Sequence, residues 1–181
     1  MSNWFNYMKQ RVAIGTSQKV GFGTLNRSKN EHGALKRPYP MFDRRIWLVR
    51  DPFSRFKSLY CYIQEQATLE RLVSLREMSP EELLQYIHKH WGEDAHWRSQ
   101  CDHLGEYEAQ LVPLERLGEI LPDAPRRNVT GSTKKLELSL ELEEDVYNLY
   151  ADDFLLWVQS HLEDEQWQTR KPITIKACPR T

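Results

Sequence analysis

Residues 46–62 read IWLVRDPFSRFKSLYCY: an apolar run ending on Arg50, then Asp51-Pro52, then a helix-like segment carrying Arg55 and Ser58. The run RIWLV, residues 45–49, is continuous and apolar, as expected for a central parallel strand covered on both faces. Asp51 and Pro52 suit the N-cap and first turn of a helix, which the pattern predicts to about Gln66. A buried strand thus delivers a guanidinium to its own tip, directly before a helix start. Such an arrangement points to an anion.

Outward from this stretch, RVAIGTS (11–17) reads as a first strand that enters the glycine-bearing loop SQKVGFGT and a short helical piece. Residues 27–44 are rich in turn formers and predict a surface-running connection. Ser79 and Glu82 make a capping box with Pro80 in the first helical position, and Leu83, Leu84, Ile87 and Trp91 fall on one face of the helix that follows. The segment GEDAHWRSQCDH (92–103) reads as irregular, YEAQLVPLE (107–115) suits a strand, and RRNVTGST (126–133) a strand end running into a loop. Residues 142–162 predict one long amphipathic helix or two abutting ones. The expected fold is α/β: a P-loop-like central parallel sheet flanked by helices, a single domain over 1–162, with 163–181 as a C-terminal tail.

At 181 residues the chain suits one sizeable core. Its 40% hydrophobic and 28% charged residues are those of an ordinary soluble protein. No apolar run is long enough to span a membrane, and the first residues do not read as a signal peptide, so a cytoplasmic location is expected. Cys61, Cys101 and Cys178 are too few and too widely spaced for a disulfide framework or a zinc site. The net charge of −1 conceals a division: residues 1–57 hold 12 Lys and Arg against three acids (+9), and 58–181 hold 13 against 23 (−10). A small anion held in a local basic pocket fits this division. A long nucleic acid does not, because the acidic remainder would repel it.

Two segments offer anion sites. In QKVGFGTL (18–25) a strand turns through glycines toward a helix, aiming backbone N–H groups at one point, with Lys19 adding charge and Thr24 a hydroxyl. Lys19 precedes Gly21 and Gly23, the reverse of a Walker A loop. Alone, such a loop is commonly only a turn. If its strand is a parallel neighbour of RIWLV, however, both loops open on the same carboxyl edge. Arg50 then presents a planar fork to two phosphate oxygens, and Ser58, seven residues from Asp51, faces the same side. Together the loops describe a site for a ligand with two separated phosphates.

The pairing of KVGFGTL with RDPFSRFKSLY resembles the sulfotransferases, in particular the carbohydrate group that contains the chondroitin and heparan-type enzymes. Every fixed position of that family's Arg-Asp-Pro-x-x-Arg-x-x-Ser-x-Tyr motif is present, as Arg50, Asp51, Pro52, Arg55, Ser58 and Tyr60. The first motif departs from the family at Gln18, where proline is usual. HWRSQ (96–100) and LYADDF (149–154) also look like segments of this family, so the resemblance spans roughly residues 11–157.

The resemblance implies a 3′-phosphoadenosine 5′-phosphosulfate (PAPS) co-substrate, no metal, and a hydroxyl acceptor of the sugar class. Lys19, Gly21, Gly23 and Thr24 would hold the 5′-phosphosulfate, and Arg50 and Ser58 the 3′-phosphate. Between the motifs only Glu31 and His32 offer a base, and His32 is favoured because a neutral imidazole accepts a proton near pH 7. Arg126, Arg127, Lys134 and Lys135 flank a loop that could close over the nucleotide, and His96 and Arg98 are candidates for acceptor contacts, with packing of His96-Trp97 the alternative. Two rivals stay open: a P-loop-type kinase, and a non-catalytic nucleotide-binding relative of the sulfotransferases.

Overall fold

A computed structural model describes residues 3–7, 12–18, 20, 25, 38, 42, 44–122 and 136–167, the side chains of 163–167 excepted. Among these residues four strands form one sheet in the order β1 (Asn3–Tyr7), β2 (Val12–Thr16), β3 (Arg44–Val49), β4 (Gln110–Pro113). β2, β3 and β4 are parallel, with Ile14 opposite Ile46 and Leu48 opposite Val112. β1 lies antiparallel on the edge, Tyr7 opposite Val12. The fold is therefore mixed α/β with a mostly parallel open sheet. RVAIGTS is the second strand, not the first: β1 precedes it.

β3 sits between two strands, and Ile46 to Val49 are buried, which is why its sequence lacks polar alternation. One sheet face joins Phe5, Ile14, Ile46 and Leu48 to Leu117 of α5 (Leu117–Ile120). The other joins Trp4, Ala13, Trp47 and Leu111 to Cys101 and Leu104 of α4 (Gln100–Leu104) and Leu156 of α7 (Ala151–Trp167). On this second face Trp4 and Trp47 meet across β2, ring centroids 5.5 Å apart. The residue between them is Gly15, where an added Cβ would lie 2.2 Å from the Trp47 ring and 3.0 Å from that of Trp4. Gly15→Ala is expected to cost about 1–3 kcal/mol through overpacking, read from the urea midpoint.

A third cluster is helical. α1 (Pro52–Glu65) buries Phe56, Leu59 and Ile63 against Leu72 of α2 (Glu70–Val73), Leu83 and Ile87 of α3 (Pro80–Lys89), and Val146 of α6 (Leu140–Leu149). Both expected helix starts are present. The Asp51 carboxylate accepts from the N–H groups of Phe53 and Ser54 at 3.3 and 2.9 Å. Ser79 Oγ accepts from Glu82 N–H at 3.2 Å, while Glu82 accepts from Ser79 N–H at 2.7 Å. The 142–162 pattern resolves into two helices, α6 and α7, the latter running past residue 162 to Trp167.

Two further expectations are corrected. Trp91 does not share the buried face of Leu83, Leu84 and Ile87, because α3 ends at Lys89; the indole is 37% exposed and tilts against Tyr150. The segment 92–103 is not irregular throughout, since α4 begins inside it, with the Ser99 hydroxyl accepting from Asp102 N–H at 2.9 Å. Cys61 and Cys101 are buried, and neither is in a disulfide among the described residues. Among the described residues no helix is long and apolar enough to cross a membrane. The connection 27–44 and the 126–133 segment lie essentially outside the described residues.

Candidate functional site

Parallel pairing of β2 with β3 sends the chain out of both strands at one sheet edge. Beyond β2 the chain turns at once: Val20 N–H donates to Ser17 O at 3.3 Å, and the Thr16 hydroxyl donates to Val20 O. Beyond β3, Arg50 is held at the strand tip by a side chain from α4. Its N–H donates to Gln100 Oε1 at 2.9 Å, and its carbonyl accepts from Gln100 Nε2 at 2.8 Å. Gln100 is fully buried, so this two-point clamp fixes the backbone from which the Arg50 side chain departs. Burial lowers the pKa of the half-buried Arg50 guanidinium, and Arg55 adds to that, while Glu115 and Asp51 oppose it. An anion at Arg50 would be drawn by the charges of Arg50 and Arg55, against the repulsion of Glu115 and Asp51.

Arg55, five residues on, has a different task. Arg55 is 3% exposed, and its guanidinium reaches three other segments of chain. Nη1 lies 3.5 Å from Asp153 Oδ2 of α7. Nε donates to Gln18 O at 3.4 Å, and Nη2 donates to His96 O at 3.4 Å and to Arg98 O at 2.5 Å. The other Asp153 oxygen accepts from the N–H groups of Gln100 and Cys101 at 2.7 and 3.0 Å, capping α4. Tyr150 closes the assembly: its ring lies 5.5 Å from the guanidinium carbon and its hydroxyl donates to Trp97 O at 2.8 Å. Burial pushes both Asp153 and Tyr150 above their ordinary ranges, and Arg55 opposes the shift in each. Arg55 is thus the post on which the first loop, the second motif, HWRSQ and LYADDF are hung.

Beside this post stands Asp94, 3% exposed. Its carboxylate accepts from His96 Nδ1 at 2.6 Å, His96 N–H at 2.8 Å and Arg71 Nε at 2.6 Å. Burial alone would raise this carboxyl; the hydrogen bonds from His96 and Arg71 override it and hold the group well below the carboxylate range. A depressed carboxyl stabilises the fold above its unfolded pKa, and that contribution is lost as pH falls toward the folded value. Asp94→Asn is therefore expected to destabilise by about 1–2 kcal/mol at pH 7, the gap narrowing below about pH 4, as urea midpoints at the two pH values will read.

Of the expected site residues, Arg50 and Ser58 are described. Ser58 is half-buried on α1, on the helical stripe that carries Asp51 and Arg55. Lys19, Gly21, Gly23, Thr24, Glu31, His32, Arg126, Arg127, Lys134 and Lys135 lie outside the described residues. His88 is exposed, His90 pairs with Glu93 at 3.0 Å, and the buried His103 sits 3.1 Å from Ala95 O. Trp97 is packing: it is buried, with its indole N–H on His90 O at 3.1 Å. The parts that sequence reasoning missed are Gln100 and Asp153, which position Arg50 and Arg55 from far along the chain. Among the described residues no cluster of three His, Cys, Asp or Glu side chains could hold a metal ion. No protein-family model, curated protein or solved structure matches the chain.

Proposed function

We propose that this protein is a sulfotransferase, moving a sulfuryl group from PAPS to a hydroxyl acceptor of the carbohydrate class, on a P-loop-like sheet edge. The observation that carries this reading is the parallel adjacency of β2 and β3, which opens the Gln18 loop and the Arg50 motif on one edge, with Arg55 bonded to Gln18 O. Two phosphate cradles side by side suit an adenosine nucleotide phosphorylated at both ends.

In this reading Arg50 and Ser58 hold the 3′-phosphate, while Lys19, the N–H groups at Gly21 and Gly23, and Thr24 hold the 5′-phosphate. Lys19 stabilises the charge that grows on that phosphate as its bond to sulfur breaks and the acceptor oxygen bonds to sulfur. His32 takes the hydroxyl proton, with Glu31 the alternative base. Arg126 and Lys134 flank a loop able to cover the nucleotide. The departure at Gln18 favours one second reading, a relative that binds the nucleotide without turning it over.

Incubation with labelled PAPS and a panel of sugar hydroxyls, in parallel with γ-labelled ATP and magnesium, tests the proposal. Metal-independent sulfate transfer is expected; phosphate transfer alone would establish the kinase instead, and nucleotide binding without any transfer the binding relative. Arg50→Ala and Ser58→Ala are expected to weaken binding of adenosine 3′,5′-bisphosphate by about 100-fold and about tenfold, measured by calorimetry.

A further inference from the structure

His96 touches the same stripe of α1 at two points. Its carbonyl accepts from Arg55 Nη2 at 3.4 Å, and its ring stacks on Tyr62, centroids 5.5 Å apart and planes 14° from parallel. Arg55, Ser58 and Tyr62 follow one another at intervals of three and four residues, so they line one side of the helix. Helical side chains also lean toward the N-terminus, which carries the Tyr62 ring back over the Ser58 turn. The two His96 contacts thus fall about one helical turn either side of Ser58. The ring is held by Nδ1 against Asp94, and the other nitrogen, Nε2, has no hydrogen bond among the described residues. Nor does the Ser58 hydroxyl.

We propose that His96 is a third ligand for the phosphate assigned to Arg50 and Ser58, donating from Nε2 while Asp94 orients the ring. As an imidazolium the ring donates from both nitrogens, one to the Asp94 carboxylate and one to the anion. The surrounding charges suit this. Arg71 occupies the far side of Asp94, Arg55 lies at the His96 carbonyl, and Tyr62 supports the ring face. Asp94 thus serves as more than a turn-forming carboxylate: it fixes which nitrogen meets the ligand. The inference deepens the sulfotransferase reading and rests on it.

The test is a calorimetric cycle on the full chain, titrating wild type, His96→Ala and His96→Phe with adenosine 3′,5′-bisphosphate and with adenosine 5′-monophosphate. His96→Phe keeps the stack on Tyr62 while removing both nitrogens. Both substitutions are expected to weaken the bisphosphate about tenfold and to leave the monophosphate unchanged. Equal loss for both nucleotides would make His96 a strut, and no loss would remove it from the site; either overturns the proposal. A wild type that binds neither nucleotide, or does not prefer the bisphosphate, overturns the parent reading instead.

Discussion

Arg55→Ala is expected to lower the stability of this protein by about 3–5 kcal/mol, the largest loss from any single substitution at the sheet edge. Removing the guanidinium leaves the fully buried Asp153 without its ion-pair partner and takes the donors from Gln18 O, His96 O and Arg98 O at once. The cost lies in the uncompensated charge and carbonyls, not in the worth of the pair itself. Buried pairs exchanged for apolar residues of similar volume are often neutral. Arg55→Met combined with Asp153→Leu should therefore recover part of the loss, although Asp153 Oδ1 also caps α4 and that contribution, about 1 kcal/mol, stays missing. Urea unfolding of the two single variants and the double variant gives the coupling directly. A loss below about 1 kcal/mol for Arg55→Ala would contradict its role as the post of the edge.

Lys19→Ala carries the largest expected effect on chemistry, a fall in turnover of about 100- to 1,000-fold, with bisphosphate affinity reduced far less. A lysine that neutralises charge developing on the leaving phosphate acts mainly in the transition state, so its loss falls on kcat. Single-turnover transfer of labelled sulfate separates the two quantities. His32→Ala, in contrast, should spare nucleotide binding and lower turnover; normal turnover there would take His32 out of the base role. A Lys19→Ala variant that loses affinity and turnover in equal measure would make the lysine a binding group only.

Local signals carried much of the fold. The apolar run before Arg50, the Asp51-Pro52 start and the Ser79–Glu82 box each depend on neighbours within a few residues, and each stands where the pattern puts it. β1 escaped because both its faces are covered: Asn6 is buried beside Phe5, so no polar alternation marks the strand. α4 escaped because it has only five residues and, beyond its local Ser99 cap, is held by Asp153, which accepts from N–H groups some fifty residues earlier in the chain. Trp91 was misplaced because periodicity does not say where a helix stops. In the site, Arg50 and Ser58 were legible from one motif, whereas the Gln100 clamp and the Asp153 cap join residues that share no local pattern. A sequence read in windows has no means of pairing them.

The structure of this protein crystallised with adenosine 3′,5′-bisphosphate tests the central claim most directly. The account predicts a single nucleotide lying along the edge of β2 and β3, its 3′-phosphate on Arg50 and Ser58 and its 5′-phosphate against Lys19. A nucleotide bound away from that edge, or one whose two phosphates both miss these residues, would contradict it.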